Sequence, residues 1–300
     1  MIQGKPHSTA PPLFSIVIPV FNDWNPLDQC LQSLAQQKNP SDFEVILVDD
    51  GSTETAPESI RSWAHGHSLT VIQQAHTGIP AARNHGIRAA NGAVLLFVDA
   101  DCRLHPDCLA ALSSMIAKSP QHDCFQLRLV GNGSSLVGRA EHLRLLTFQN
   151  FMLQPDGCIR YLNTAGFAIR RECADIEAGV FNPFALRAED TLLLANLMQD
   201  GKLPLFVPDA VVEHAIPLSL MQCVRKDIRS VSLEDTAYGI IASKGVRIRI
   251  THRDRLKLLW SLWQAAGQNS IGRSAWFVLV IRQSLQRMIS FSFRLLRVGS

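Results

Sequence analysis

Acidic residues follow two predicted strands, with a spacing that could support metal-assisted chemistry on a phosphorylated substrate. Asp99 and Asp101 lie two positions apart directly after the apolar run 93–98, so an extended backbone directs both carboxylates to one side. Carboxylate oxygens suit Mg²⁺ or Mn²⁺, and phosphate oxygens complete the coordination shell. Asp50 also follows an apolar run, at 43–49. The pattern predicts a divalent-cation site, with turn or capping roles as the alternative.

Strands and helices alternate in the part of the chain that must position these acids. Apolar runs predict strands at 14–21, 43–49, 69–73 and 93–98, and helical spacing predicts helices at 25–37, 56–65 and 79–91. This alternation predicts a mostly parallel sheet with helices on both faces. Ligands bind beyond the carboxyl ends of such strands, so we expect the acids to share one rim.

The second half of the chain is less regular and ends in a basic segment. Helices are predicted at 136–153 and 189–199, and strands at 163–170 and 205–214. Beyond Lys244 the pattern predicts amphipathic helix. Its arginines fall on one arc, at Arg273, Arg282, Arg287, Arg294 and Arg297. Opposite them lie Phe277, Val278, Ile281, Leu285, Met288, Ile289 and Leu295. With Trp260, Trp263 and Trp276, this region suits an anionic membrane surface, and packing of the apolar face on the domain is the alternative.

The charge distribution separates an acidic body from this basic segment. The net charge is +3, but residues 244–300 carry +10, which leaves −7 on residues 1–243. A uniformly basic nucleic-acid-binding protein does not divide its charge in this way, so no nucleic-acid partner is expected.

Several sequence features favour the cytoplasm. The seven cysteines are odd in number and contain no C-x-x-C pair, which argues against disulfides and a structural zinc site. Residues 1–12 lack the apolar run of a signal peptide. No membrane span is predicted, because no uncharged apolar stretch approaches the roughly 20 residues required. We expect a cytoplasmic protein, and the inner face of the membrane is one expected location for it.

Four motifs occur in order within the first part of the chain. They are Ser15–Asn22 (SIVIPVFN), Val45–Thr53 (VILVDDGST), Gly78–Gly86 (GIPAARNHG) and Val94–Asp101 (VLLFVDAD). Together they resemble the family 2 glycosyltransferases, which have the GT-A fold. The resemblance is strong over 14–101 and weaker at 163–171, 188–190 and 211–214. It lapses over about 103–160 and after about 220.

The resemblance implies a fold class and a domain organisation. The fold would be α/β, with a GT-A-type, Rossmann-like, mostly parallel sheet flanked by helices and a C-terminal basic amphipathic helical region. A flexible N-terminus would cover 1–12, the GT-A domain 13–225 and the basic helical extension 226–300. Within the domain, 13–102 would form the nucleotide-binding half and 103–225 the acceptor and catalytic half.

The resemblance also implies roles in binding the donor. Pro19, Val20 and Phe21 would line the nucleobase pocket, where Asp50 would accept a hydrogen bond from a uracil-like imide N–H. Arg83 would contact the base or the diphosphate, since a guanidinium suits anionic oxygens.

Further implied roles concern the metal and the transfer. Asp101 would ligate Mn²⁺ or Mg²⁺ directly, and Asp99 would be a supporting member of the metal site that contacts the donor ribose, the metal or a metal-bound water. His214 would add a metal or phosphate contact, and Gly166 would let the backbone pass close to the donor sugar or acceptor. Asp190 matches the position of the general base that an inverting transfer needs.

These roles imply an inverting, metal-assisted glycosyltransferase that uses a nucleoside-diphosphate sugar, with UDP favoured. The acceptor would be a glycan or lipid-linked sugar, in envelope glycan or polysaccharide synthesis. The sequence lacks the glycine-rich phosphate loop of nucleotidyltransferases, the G-x-G-x-x-G of dehydrogenases and the P-loop motif. The alternative is a catalytically silent module that binds nucleotide-sugar or anchors an assembly at the membrane.

Overall fold

The chain divides into two compact units. The computed structural model describes residues 2–3, 11–132, 135–185, 188–214, 221–222, 240–241, 251–268 and 272–298. The first unit comprises 1–129 and 153–215, and the second 130–152 and 216–300. Residues 130–152, placed by the sequence in the catalytic domain, therefore group with C-terminal residues. The predicted boundary at 225 lies outside the described residues and stays a prediction.

A mixed sheet runs through the first unit. Its strands are β1 (Ile2–Gln3), β2 (Phe14–Val20), β3 (Phe43–Asp49), β4 (Leu69–Gln73), β5 (Val94–Phe97), β6 (Cys102–Leu104), β7 (Cys124–Gly131), β8 (Phe167–Arg170) and β9 (Leu205–His214). Among the described residues their order is β1-β4-β3-β2-β5-β8-β7-β9-β6.

Helices connect these strands. They are α1 (Trp24–Ala35), α2 (Glu58–Gly66), α3 (Ile79–Ala89), α4 (Cys108–Lys118) and α6 (Glu189–Gln199), with 3₁₀ turns at Thr164–Gly166 and Arg171–Cys173. The predicted bounds of β4, β9 and α6 agree with the structure. The predicted strand 163–170 is shorter, because residues 164–166 form a 3₁₀ turn.

Parallel pairs join the strands of the first part of the sheet. β2 pairs in parallel with β3 and β5, and β3 pairs in parallel with β4. All seven residues of β2 are buried, as expected for a strand covered on both faces. The pairs β1–β4, β5–β8, β7–β8 and β6–β9 are antiparallel. The second half lacks the regular strand–helix alternation that returns successive strands in the same direction.

The parallel strands place the predicted site residues on one rim. β2, β3 and β5 run side by side in the same direction, so the residues after their carboxyl ends lie at the same edge. Phe21 and Asp50 directly follow β2 and β3, and Asp99 lies two positions beyond the end of β5. This arrangement confirms the shared rim that the strand pattern predicts.

Within the described part of the second unit, the helices α5 (Leu136–Met152), α7 (His252–Gln268) and α8 (Arg273–Val298) pack together. Their apolar core comprises Ala140, Leu143, Leu258, Leu262, Ala266, Ala275 and Leu279. Glu141 is buried in this unit, and its carboxylate contacts Arg144 and Arg282. No helix in the described part of the chain is long and apolar enough to cross a bilayer.

The predicted arginine arc of α8 is described only in part. Arg282 is partly buried, and its Nη1 lies 3.3 Å from Oε2 of Glu141. The exposed side chains of α8 include Phe277 (54%), Ile281 (52%), Leu285 (37%) and Met288 (66%). The side chains of Arg287, Ile289, Arg294, Leu295 and Arg297 lie outside the described residues. The complete arc stays a prediction.

Candidate active site

Asp101 and His214 meet at the end of the paired strands β6 and β9. Oδ1 of Asp101 lies 3.3 Å from Nε2 of His214. Cys102 pairs directly with His214 in the antiparallel ladder, and its thiol lies 3.9 Å from Oδ1 of Asp101. One ligand atom from each of these three residues lies within 4.8 Å of the others. The carboxylate and imidazole suit a divalent cation such as Mn²⁺. Sequence reasoning missed Cys102.

Arg83 is buried behind Asp99. The residue is 1% exposed, its Nη2 lies 2.7 Å from Oδ1 of Asp99, and its Nη1 lies 3.3 Å from Oε1 of Glu189. Burial opposes the charge, but Asp99, Asp190 and Glu189 outweigh this effect and raise the pKa of Arg83. In this structure the guanidinium joins two carboxylates. A direct contact with the donor stays a prediction, as does metal ligation by Asp99.

Asn84, the residue after Arg83, holds in place the loop that carries Phe181 over the guanidinium of Arg83. Asn84 donates through Nδ2 to the carbonyl of Phe181 at 2.6 Å and accepts from the N–H of Phe181 at 3.0 Å. The ring of Phe181 then lies 5.4 Å from the guanidinium carbon of Arg83. Gly179 has φ +88°, and a Cβ there would lie 2.6 Å from the Asn84 amide. The sequence Arg83-Asn84 therefore supports the site from within α3.

Asp190 lies at the start of α6, where its carboxylate is partly buried. The hydroxyl of Thr164 donates to Oδ1 of Asp190 at 2.7 Å. Burial and the neighbouring charge of Glu189 raise the pKa of Asp190 to about 7, against the opposing effects of Arg83 and Thr164. A carboxylate with such a pKa is suited to accept a proton near neutral pH. The role of general base stays a prediction.

Asp50 is saturated by hydrogen bonds from its own chain. Its Oδ1 accepts from the N–H of Thr77 at 2.9 Å and from Nε2 of Gln74 at 2.7 Å, and its Oδ2 accepts from the N–H of Gly78 at 2.9 Å. Burial opposes ionisation, but these bonds lower the pKa of Asp50. Asp50 therefore anchors the segment 74–78, and its predicted contact with a uracil-like base stays a prediction.

The anchored segment places His76 against Phe21. The two rings stack with their centroids 4.2 Å apart and an interplanar angle of 24°. Nδ1 of His76 lies 2.9 Å from Oδ2 of Asp50, and Phe21 is 42% exposed. Pro19 and Val20 are buried within β2. Phe21 is therefore the exposed member of the predicted base-binding set, and His76 is a neighbour that sequence reasoning missed.

Gly166 is required by packing behind the rim. A Cβ at this position would lie 2.9 Å from Cδ2 of Leu129 and 3.3 Å from Cβ of Leu127, both in β7. The hydrogen of its Cα therefore faces neighbouring side chains of the sheet. This contact explains the glycine without a donor sugar, and the predicted approach of the backbone to a substrate stays a prediction.

The fold and this rim define a class of protein. A mixed sheet flanked by helices, with an Asp-x-Asp motif after β5, agrees with the GT-A fold that the sequence motifs imply. The model of the family described as "Glycosyl transferase family 2" matches residues 15–176. The chain belongs to that family.

Curated relatives match part of the chain. Glycosyltransferase AglE of Haloferax volcanii is 38% identical over 130 residues, which cover 42% of this chain and 38% of AglE. A PGL/p-HBAD biosynthesis glycosyltransferase of Mycobacterium bovis is 37% identical over 117 residues, which cover 38% of this chain and 45% of that protein. The matched part thus spans less than half the length of either relative.

Solved structures agree in fold over most of the chain. Mannosyltransferase PcManGT from Pyrobaculum calidifontis, in complex with GDP-Man and Mn²⁺, superposes with a TM-score of 0.57 at 20% identity. The match covers 96% of this chain and 86% of PcManGT. S. aureus TarS 1–349 in complex with UDP gives a TM-score of 0.56 at 18% identity, covering 94% and 91% of the two chains. These similarities show the GT-A fold.

Proposed function

We propose that this chain is an inverting glycosyltransferase that moves a sugar from a nucleoside-diphosphate sugar to an acceptor hydroxyl. The donor is of the UDP type, the cofactor is Mn²⁺ or Mg²⁺, and the acceptor is a glycan or lipid-linked sugar of envelope glycan or polysaccharide synthesis. The observation that carries the proposal is that Arg83 joins Asp99 of the Asp-x-Asp motif to Glu189, the neighbour of Asp190. The buried guanidinium of Arg83 thus links the Asp-x-Asp motif of the proposed donor site to the first turn of α6, which carries the candidate base.

Asp190 supplies the base chemistry in this proposal. An inverting transfer needs one carboxylate that takes the acceptor proton as the hydroxyl oxygen attacks the anomeric carbon. The Thr164 hydroxyl orients the carboxylate of Asp190, and the raised pKa suits proton acceptance near neutral pH. Glu189 is held by Arg83, which leaves Asp190 as the acid available for this task.

Asp101 and His214 would hold the cation at the rim. A divalent cation at this place would stabilise the negative charge that builds on the departing nucleoside diphosphate. Mn²⁺ in the PcManGT complex and UDP in the TarS complex support this assignment by similarity of fold. The exposed ring of Phe21, supported by His76, offers an aromatic face on which a nucleobase can stack.

Donor hydrolysis tests the proposed activity. The full-length protein would be incubated with UDP-sugars and GDP-mannose, with and without Mn²⁺, and release of nucleoside diphosphate would be measured. We expect metal-dependent release that falls by at least about 100-fold in Asp101→Ala, because metal assistance to the leaving group amounts to several kcal/mol. The control is Asp209→Ala, an exposed acid of β9, which should retain activity.

Two outcomes contradict this proposal. Absence of metal-dependent release with every donor favours the catalytically silent nucleotide-sugar-binding module. Preferential release of GDP over UDP would retain the enzyme and reject the UDP-type donor. Product stereochemistry, read by NMR at the anomeric carbon, decides between inversion and retention.

We also propose that the second unit attaches the enzyme to anionic membrane at its cytoplasmic face. Four apolar side chains of α8 (Phe277, Ile281, Leu285 and Met288) are exposed, and so are Leu256 and Trp260 of α7, at 69% and 61%. Arg253, Lys257 and Arg273 are exposed on the same helices. Helices that expose both apolar and basic side chains fit an interface with anionic headgroups.

Vesicle co-sedimentation tests the membrane contact. The wild type should sediment with phosphatidylglycerol-containing vesicles and remain in solution with phosphatidylcholine vesicles. The double variant Phe277→Glu/Ile281→Glu should bind at least about tenfold more weakly, since each large apolar side chain contributes about 1.5–3 kcal/mol on burial. Ser114→Glu/Ala117→Glu, at exposed positions of α4, adds the same charge and should bind normally. Equal sedimentation of the two variants would rule out this surface.

A further inference from the structure

A buried thiol lies beside the candidate metal ligands, and the proposed reaction makes no use of it. Cys102 is the first residue of β6 and is fully buried. Its backbone is fixed at both sides, because its N–H donates to the carbonyl of Asp99 at 3.0 Å and the residue pairs with His214 in the ladder. Directly opposed residues of antiparallel strands project to the same face of a sheet. The position of the thiol beside the imidazole therefore follows from the strand register.

The geometry of this cluster approaches that of a tetrahedral zinc site. Zinc binds carboxylate oxygen and imidazole nitrogen at about 2.1 Å and thiolate sulfur at about 2.3 Å, so neighbouring O and N ligands lie about 3.4 Å apart and O and S about 3.6 Å apart. In this chain the oxygen of Asp101 lies 3.3 Å from the nitrogen of His214 and 3.9 Å from the sulfur of Cys102. All three ligand atoms lie within 4.8 Å of one another. The three atoms are therefore close enough together to be ligands of one ion.

We propose that Asp101, Cys102 and His214 form a three-ligand site for Zn²⁺ or Co²⁺, in which Cys102 determines the preference for these ions over Mg²⁺. When the ion binds, the thiol releases its proton to water and the sulfur bonds to the metal. Three protein ligands leave one position for a water or a phosphate oxygen. The inference rests on the proposed function only in placing the ion at the rim where a donor diphosphate would bind.

The ligand types decide which ions this set favours. Mg²⁺ takes oxygen ligands in near-octahedral geometry, and two of the three atoms here are nitrogen and sulfur. Thiolate and imidazole together favour Zn²⁺, and the general order of affinities places Mn²⁺ below Co²⁺ and Zn²⁺. In this structure Oδ1 of Asp99 lies 2.7 Å from Nη2 of Arg83, and the three-residue cluster is formed without Asp99. Zn²⁺ should therefore displace Mn²⁺ from this site when both are present.

Cobalt spectroscopy on the metal-free, full-length protein tests the site without any nucleotide. Co²⁺ should produce a thiolate-to-cobalt charge-transfer absorption in the wild type, and Zn²⁺ should abolish it by competition. Cys102→Ser and Cys102→Ala should lose the absorption, and their affinity for Zn²⁺ should fall by at least about tenfold. The control is Cys30→Ala, another fully buried cysteine, which should retain both the absorption and the affinity.

The result that overturns this proposal is a wild type without the charge-transfer absorption, or a Cys102→Ala variant with unchanged Zn²⁺ affinity. Should Cys102→Ala fail to fold, Cys102→Ser and His214→Ala provide the same comparison. Because no donor is present, this measurement stands even if no sugar transfer is found. Conversely, a Mn²⁺-dependent transferase whose Cys102→Ala variant binds Zn²⁺ normally would retain the function and reject the thiolate ligand.

Discussion

Replacement of Asp190 by asparagine should lower kcat by about 10³-fold, because a positioned general base contributes about 10²–10⁴-fold to a reaction. Asparagine retains an oxygen that can accept the hydrogen bond from Thr164, so the start of α6 should keep its structure. Donor binding should be unchanged, since the carboxylate acts on the acceptor hydroxyl. Initial rates at saturating donor, with donor affinity from thermal shift, separate the two effects.

The pH dependence of the wild type should reveal the same carboxylate. Burial and Glu189 raise the pKa of Asp190 to about 7, so the base is protonated in acid and kcat/KM should rise with pH through this value. The raised pKa also means that the folded state disfavours the ionised form. Ionisation of Asp190 therefore lowers the free energy of unfolding as pH increases from about 4 to about 7. The asparagine variant should melt several degrees higher than the wild type at pH 8, and this difference should disappear near pH 4.

The matched control is Asp200→Asn, which removes an exposed acid just beyond the end of α6. This variant should keep wild-type turnover and the wild-type pH profile. If Asp190→Asn turns over at close to the wild-type rate, the base lies elsewhere and the assignment is wrong. A large fall in melting temperature at pH 8 would instead indicate a structural role for the carboxylate.

Local sequence patterns predict the first half of the sheet because its strands are continuous apolar runs that alternate with helices. β2 and β3 are apolar runs buried along almost their whole length, and β4 was predicted with the observed bounds. The shared rim follows from strand direction alone. β6 is only three residues long and pairs with β9 more than 100 residues later in the chain. A segment of this length is too short to show the alternation of a strand. Its position in the sheet depends on β9, which is distant in the chain.

The roles of individual rim residues depend on contacts that a linear pattern does not contain. Arg83 looks like a helix-surface arginine, yet it is buried because Asp99 and Glu189 arrive from other elements, 16 and 106 positions away. Asp50 is directed inward because the segment 74–78 supplies its hydrogen-bond donors.

The orientation of the C-terminal helix α8 also depends on contacts that a linear pattern does not contain. A helical wheel groups Arg282 apart from Phe277 and Ile281, but it does not say which side faces the protein. In the structure Arg282 contacts the buried Glu141, while both apolar side chains are more than half exposed. The contact with Glu141 and the packing of Ala275 and Leu279 in the apolar core together orient α8.

Substitution of Arg83 by methionine should destabilise the first unit by about 3 kcal/mol, because removal of one member of a buried ion pair leaves its partners without a counter-charge. Two carboxylates lose their cation here, Asp99 at 2.7 Å and Glu189 at 3.3 Å. Both are partly exposed and can take up water, which places the expected effect at the lower end of the usual range. The melting temperature should fall by roughly 6–12 °C.

The same substitution should alter the pH profile of any remaining activity. The charge of Arg83 lowers the pKa of Asp190 against the larger effects of burial and Glu189. Without that charge the pKa of Asp190 rises further, so the ascending limb of kcat/KM should move to higher pH than in the wild type. A purely structural defect would reduce the amount of active protein at every pH and leave the position of this limb unchanged.

Two arginine variants separate charge from geometry. Arg83→Lys keeps the cation but offers a single ammonium in place of the fork that reaches both carboxylates. It should keep the wild-type position of the pH limb more closely than methionine does, while still losing stability. Arg88→Met, at an exposed position of the same helix, should change neither property. If Arg83→Met melts within about 1 °C of the wild type, the contacts with Asp99 and Glu189 do not stabilise the fold, and the link between donor site and base loses its support.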